Sequence, residues 1–311
     1  MTSGGTTGNM ATLAAATGSS GMAPVKEIKG RSLWADAVRR FKKDYFAVVC
    51  LGIIALYAAI AILASLGWIA SPWDQVIGAP YAPPSLESLA HLFGTDIFGR
   101  SVFFKTLHGT RIAMSVGLVA SLIAIPLGVS LGALAGYFGG WIDELIVWFY
   151  TTLSSIPNIM LLIAITFVLG KGTTSIYVAL GVTSWIGLAR VIRGEFIKHK
   201  NRDYVVAAAS LGASHTSRIF KHILPNVSHF IIINLSMQFM GAIKSEVILS
   251  FLGLGVRGQP SWGVMIDDAK LELSRGVWWQ LGGATLAMFF VVLAFNIVGD
   301  ALRDALDPKI K

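Results

Sequence analysis

Asp203-Tyr-Val-Val-Ala-Ala-Ala-Ser-Leu-Gly212-Ala-Ser-His-Thr-Ser-Arg-Ile-Phe-Lys-His-Ile-Leu-Pro225-Asn226 is a polar, basic stretch between two hydrophobic segments. Asp203 is a suitable N-cap for a helix beginning at Tyr204. Ala207, Ala208 and Ala209 favour the helix and give it a small, smooth face. Gly212 suits the position after a helix where the backbone turns left-handed. Ala213 follows, and Ser214 or Thr216 can then cap a second helix. There Ile219, Phe220, Ile223 and Leu224 form one apolar stripe, with Arg218, Lys221 and His222 off it. Pro225 restricts Leu224 and predicts the end of that helix. The spacing therefore predicts a structured helix–turn–helix in water, with one buried stripe and one exposed face of small residues.

The flanking sequence puts this hairpin on a membrane protein. The chain has 311 residues, of which 54% are hydrophobic and 14% charged, against about 25% charged in soluble domains. A helical span needs about 20 apolar residues. Six candidates meet or approach this: Tyr45–Ile69, Ile112–Phe138, Leu145–Gly170, Ile176–Ile192, His229–Leu252 and Leu281–Val298. Residues 26–44 carry seven Lys and Arg against three acids, and residues 190–228 carry seven against two. The loops 71–111 and 254–280 are balanced at three against three. The positive-inside rule then assigns the N-terminus, the 190–228 loop and, after six spans, the C-terminus to the cytoplasm. A net charge of +8 concentrated beside apolar spans is an orientation signal, and nucleic acid is not an expected partner. Residues 1–25 read as a disordered Gly/Ser/Thr/Ala tail without a signal-peptide core. Trp34, Ala37, Val38 and Phe41 give residues 26–44 an amphipathic helix for the lipid surface. The rest divides into a first span (45–69), an extracytoplasmic loop (70–111), a core of five spans (112–302) with its cytoplasmic loop at 193–228, and a cytoplasmic C-terminus (303–311).

Within the spans, Gly128, Gly132 and Gly136 recur every four residues, a spacing that lets helices approach closely. Pro126 and Pro157 interrupt spans two and three. Lys244 and Glu246 fall inside span five, where charges are costly and face a cavity or a partner. Both are candidates for a translocation path, and their i, i+2 spacing puts them on different helix faces. Pro72, Trp73, Pro83 and Pro84 mark one extracytoplasmic loop and Trp262 the other, while Trp278 and Trp279 suit interfacial anchors. Nothing points to catalysis or to a bound cofactor. The six histidines have no metal-ligand spacing, and the single cysteine, Cys50, excludes an internal disulfide. Gly170-Lys171-Gly172 lacks both the first glycine and the hydroxyl of a phosphate-binding loop, and reads as a turn.

Ala207, Ala208, Gly212, Leu224 and Pro225 match the EAA motif of ABC importer permeases, in which E-A-A is followed by a glycine and, nine residues on, by I-x-L-P. Val206 stands where the motif has its glutamate, so the capping box that Asp203 and a glutamate would form is lost. His222 takes the isoleucine position. The resemblance extends along the chain. Phe93-Gly-Thr-Asp-Ile-Phe-Gly-Arg100, Gly136-Tyr-Phe-Gly-Gly140 with Asp143, Glu246-Val-Ile-Leu-Ser-Phe-Leu-Gly-Leu-Gly255, Pro260-Ser-Trp-Gly263 and Gly299-Asp-Ala-Leu-Arg-Asp-Ala-Leu-Asp-Pro308 look like blocks of the C-type permease of oligopeptide and dipeptide importers.

The resemblance implies an all-α, six-span permease of the type I importer fold in the bacterial cytoplasmic membrane. It implies a second, related permease, two cytoplasmic ATPases that hold the ATP and magnesium, and an extracytoplasmic solute-binding protein. The 203–216 segment would be the coupling helix, with Asp203, Tyr204, Val206, Ala207, Ala208, Gly212, Ala213, Ser214, His222, Leu224 and Pro225 at or behind the ATPase contact. Peptides are the expected substrate, with nickel or another small solute the alternative within the family. An ATP-independent secondary transporter would leave the hairpin unexplained and would call for an inverted repeat.

Overall fold

The computed structural model describes residues 33–306. The expected tail over 1–25, the side chain of Trp34 and the segment from 307 lie outside the described residues. Eleven helices follow one another: α1 (Leu33–Lys43), α2 (Tyr45–Ser65), α3 (Val102–Phe138), α4 (Gly140–Ser154), α5 (Asn158–Leu169), α6 (Thr173–Thr183), α7 (Trp185–His199), α8 (Asp203–Ser210), α9 (His215–Leu254), α10 (Trp262–Leu273) and α11 (Trp279–Leu306). Among the described residues the only β-pairing is two isolated bridges, Val76 with Arg100 and Thr95 with Ser101.

Among the described residues five helices or consecutive helix pairs are long and apolar enough to cross a membrane: α2, α3, α6 with α7, α9 and α11. The sixth expected span is broken. α4 and α5 meet at 88° across Ser155–Pro157, because Pro157 opens α5 in an extended conformation and disfavours helix at the residue before it. α5 alone, at 12 residues, is about 18 Å long, short of the roughly 30 Å hydrocarbon layer.

Span two begins ten residues before the apolar run does. Ser101 caps it by accepting from Phe104 N at 3.2 Å, and the polar residues Lys105, Thr106, His108 and Thr110 are buried in its first turns. They are covered by protein: Trp262, itself fully buried, donates its indole N–H to the Thr106 carbonyl at 3.0 Å. α2 packs along α11, where Tyr57 donates to the Ala287 carbonyl at 2.9 Å and Cys50 is buried with Ala294 and Val298. Ala37 of α1 is buried and Phe41 packs on this same cluster, and Val38 is exposed on the outer side of the helix.

The glycine stripe finds its partner in α7. A Cβ at Gly128, Gly132 or Gly136 would come within 2.9, 2.6 and 2.5 Å of the carbonyl oxygens of Trp185, Ala189 and Arg193. Both helices advance four residues per contact, so their backbones touch along two full turns. This close pair carries the hairpin at its end.

Candidate functional site

α8 projects from the end of α7 and turns back into α9. Its cap position is Arg202, in extended conformation and without a side-chain bond; Asp203 is the first helical residue. The expected Asp203 cap is thus displaced by one residue, and its carboxylate instead sits in the first turn, where it favours the helix dipole. Gly212 has φ of +84°. Around it, Ala213 N–H bonds the Ala208 carbonyl and Gly212 N–H bonds the Ala209 carbonyl, each at 3.0 Å, which closes the helix as a Schellman turn. Ser214 caps the second helix by accepting from Ser217 N at 3.3 Å; Thr216 does not.

The second helix does not stop at Pro225. Arg218–Ile223 widen into a π-helical turn, in which Leu224 N–H reaches back five residues to Ile219 O. Proline lacks the N–H that an α-helical ladder would require, and a π-turn relieves that mismatch. Just beyond the turn, the Asn226 side chain donates to the His222 carbonyl at 2.6 Å. Hairpin and span five are consequently one helix of 40 residues, about 60 Å long. The widened turn also rotates the predicted stripe. Ile219 and Ile223 are buried, whereas Phe220 is 61% exposed.

Val205 and Ala208 face inward, and Val205 joins Leu188, Ile192, Phe196, Ile219, Ile223 and Val227 in one cluster. Of the three alanines only Ala207 is exposed; Ala208 is buried and Ala209 half-buried. The outer surface is larger and more apolar than the alanine run suggested, since it adds Tyr204, Val206, Leu211 and Phe220, with Leu211 at 88%. Val206, at the motif's glutamate position, lies on this surface. His222 and Leu224 are half-buried and Pro225 exposed. Two contacts that no sequence pattern announced fasten the hairpin. Tyr137 Oη at the end of α3 bonds His215 Nδ1 at 2.9 Å, with Arg218 Nη2 at 3.0 Å from the same nitrogen. His199 Nδ1 bonds Tyr204 Oη at 2.7 Å. Behind them Arg193 grips Asp143 through two bonds of 2.5 and 2.7 Å.

The two charges of span five have opposite surroundings. Glu246 is enclosed within the subunit at 0% exposure. Its Oε1 accepts from Ser250 Oγ at 2.7 Å, and Ser261 Oγ lies 3.5 Å from Ser250 Oγ. It therefore ties the end of α9 to the start of α10 and faces no open path in this conformation. Lys244 is exposed on the outer face of α9.

A family model described as binding-protein-dependent transport system inner membrane component matches residues 128–311, which include the hairpin, α9 and α11. The chain belongs to that family. A second model, the N-terminal transmembrane domain of oligopeptide transport permease C, matches residues 32–84 of this permease. The permease is 39% identical to a dipeptide transport system permease protein of Bacillus subtilis over 89% of its own length and 86% of the relative's. It is 38% identical to the oligopeptide transport system permease protein of the same organism, over 91% and 92%. A glutathione transport system permease protein of Pectobacterium atrosepticum matches at 35% over 92% and 95%. Its fold is shared with an inward-facing methionine ABC transporter at a TM-score of 0.50 and 17% identity, covering 66% of the permease and 94% of that chain.

At the end opposite the hairpin, the permease carries a buried polar network. Lys105 Nζ donates to Asp96 Oδ2 at 3.0 Å and to Gln280 Oε1 at 2.8 Å, and all three residues are at most 2% exposed. Asp96 also accepts from Arg100 Nε at 2.8 Å and from the backbone N–H of Phe98 and Arg100. Burial works against its charge, but Lys105 and Arg100 outweigh burial and hold the carboxyl below its usual range. Trp279 donates to the Thr95 carbonyl at 2.8 Å, so it anchors this loop, while Trp278 stays 61% exposed. Glu272 of α10 is 2% exposed; burial pushes its pKa up, against the opposing pull of Lys105.

Proposed function

We propose that this permease is the C-type subunit of an ATP-driven peptide importer and that the 203–216 hairpin is its coupling element. In this reading the hairpin, the N-terminus and the C-terminus face the cytoplasm, and the network around Lys105 faces outward. A second homologous permease pairs with the chain within the lipid bilayer. Two separate ATPase subunits bind ATP and magnesium, and this chain holds neither. An extracytoplasmic solute-binding protein delivers a di- or oligopeptide. The printed names of the relatives, dipeptide, oligopeptide and glutathione permeases, support the peptide class.

One observation carries the coupling role. α9 runs from the hairpin turn through two π-turns to the left-handed break at Gly253, so a push on the hairpin displaces a helix that crosses the whole membrane. Interfaces and packed cores are bistable, and such a rigid shift is one way to exchange access states. Tyr204, Val206, Ala207, Leu211 and Phe220 form the outer surface that meets the ATPase. Asp203, Gly212, Ala213 and Ser214 shape the turn, and Ala208, His222, Leu224 and Pro225 set the second helix behind it. Glu246 braces the far end of the rod, and Lys244 faces the translocation path. Leu211→Asp and Gly212→Asp in the assembled complex test the role. Co-purification of the ATPases or transport-coupled ATP hydrolysis is expected to fall at least several-fold, with the fold of the chain retained. Wild-type behaviour of both variants would remove the hairpin from the coupling path.

A further inference from the structure

Lys244 differs from the other buried or membrane-level charges of the chain. Lys105 has Asp96 and Gln280, Arg193 has Asp143, and Glu246 has Ser250. Lys244 has no ion pair or hydrogen bond within the subunit among the described residues. It lies ten residues short of the end of α9, about 15 Å below it. A lysine at such depth faces a water-filled cavity or a partner group, not lipid tails.

Its surroundings leave room for a small, variable occupant. Met237, Gly241, Lys244 and Ile248 share one exposed stripe of α9. A Cβ at Gly241, one turn from the ammonium, would meet nothing within 4 Å, so the subunit leaves the space beside the charge open. Met237 below it is 60% exposed and Ile248 above it 38%. Methionine adapts its shape to many neighbours, and ligand sites are mostly apolar with a few placed polar groups. Met237 and Met240 also line a separate cavity of about 100 Å³ between α9 and α11, with Asn296, Asp300 and Arg303 at its wall.

We infer that Lys244 is a substrate-contacting residue that binds the C-terminal carboxylate of the transported peptide. This rests on the peptide reading above. Peptides differ in every side chain and share their termini, so one ammonium over an adaptable apolar floor reads what all of them have in common. A charge-assisted bond from Lys244 Nζ to the carboxylate is the stronger kind of hydrogen bond, and the open stripe leaves the side chains unread.

Cys50 is the only cysteine and is buried, which permits a direct test in the complete importer reconstituted in proteoliposomes. In a Cys50→Ala background, Lys244→Cys is expected to import dialanine and trialanine at least tenfold more slowly, with assembly retained on co-purification. Treatment with 2-aminoethyl methanethiosulfonate, which restores an ammonium at this position, is expected to recover most of the uptake. The anionic sulfonatoethyl reagent is expected to leave it low. Lys244→Met provides a second variant without thiol chemistry, with the same loss expected. Uptake at the wild-type rate by either variant would overturn the inference, as would a thiol that neither reagent modifies. Loss of the second permease on co-purification would assign Lys244 to the subunit interface instead and would equally overturn it. Failure of the wild-type importer to take up any di- to pentapeptide would overturn the peptide reading itself, an outcome distinct from wild-type import that ignores Lys244.

Discussion

Gly132→Ala adds a single methyl at the middle of the α3–α7 contact. The new Cβ would stand 2.6 Å from the Ala189 carbonyl oxygen and 3.0 Å from Ile192 Cβ, where ordinary contact begins at 3.4 Å. Relieving the oxygen contact requires the helices to open by about 0.8 Å, and neither atom is the end of a flexible side chain. That opening also loosens the contacts at Gly128 and Gly136, one turn either way. Overpacking of this kind costs about 1–3 kcal/mol. Alanine's better helix propensity returns about 0.8–1.0 kcal/mol, so the net loss is about 0–2 kcal/mol. Gly194→Ala in α7 is the control, since its Cβ would meet nothing within 4 Å and only the propensity gain applies. The two variants should therefore differ by about 1–3 kcal/mol, roughly one to two decades in the folded-to-unfolded ratio. Equilibrium unfolding of the purified chain in mixed micles of rising SDS fraction measures the difference. Equal midpoints for Gly132→Ala and Gly194→Ala would refute the close-packing argument.

Gly212 tests backbone geometry apart from contacts, because its Cβ would have open space but its φ is +84°. Gly212→Asn, which tolerates that region, should keep transport-coupled ATP hydrolysis near wild type, whereas Gly212→Val should strain the turn by about 1–2 kcal/mol and lower it. Lys105→Met removes one of the two cations that hold buried Asp96 and leaves Arg100, so the loss should stay below the roughly 3–5 kcal/mol of a fully broken buried pair; the same SDS titration should show it, with partial recovery in the Lys105→Met, Asp96→Asn double variant. Glu272 makes stability depend on pH. Its pKa is raised by burial in the folded chain against about 4.3 when unfolded, so its contribution is complete below the unfolded value and is lost as pH rises through the folded one. Glu272→Gln should abolish that part of the decline, read as unfolding midpoints across the pH range.

Much of the architecture was legible along the chain because its causes are local. Apolar run lengths announced the spans, the four-residue glycine period announced a close helix contact, and Gly212 with Ser214 announced a turn and a cap. These depend on neighbours a few residues apart, and their spacing is written in the sequence. What faced what was decided elsewhere. The glycine period gave no hint that α7 was the partner. Lys105 looked like a loop charge and became the buried partner of Asp96, because α3 starts before its apolar run and other helices cover its first turns. Phe220 left the apolar stripe because Pro225 forces a wider turn, and each residue added to a helical turn rotates the faces on either side by about 100° relative to one another. Lys244 and Glu246, two residues apart, were equivalent as charges in a span. Only the packing of α10 against the end of α9 enclosed one and left the other exposed, because burial belongs to the surfaces that meet a residue and not to its place in the chain.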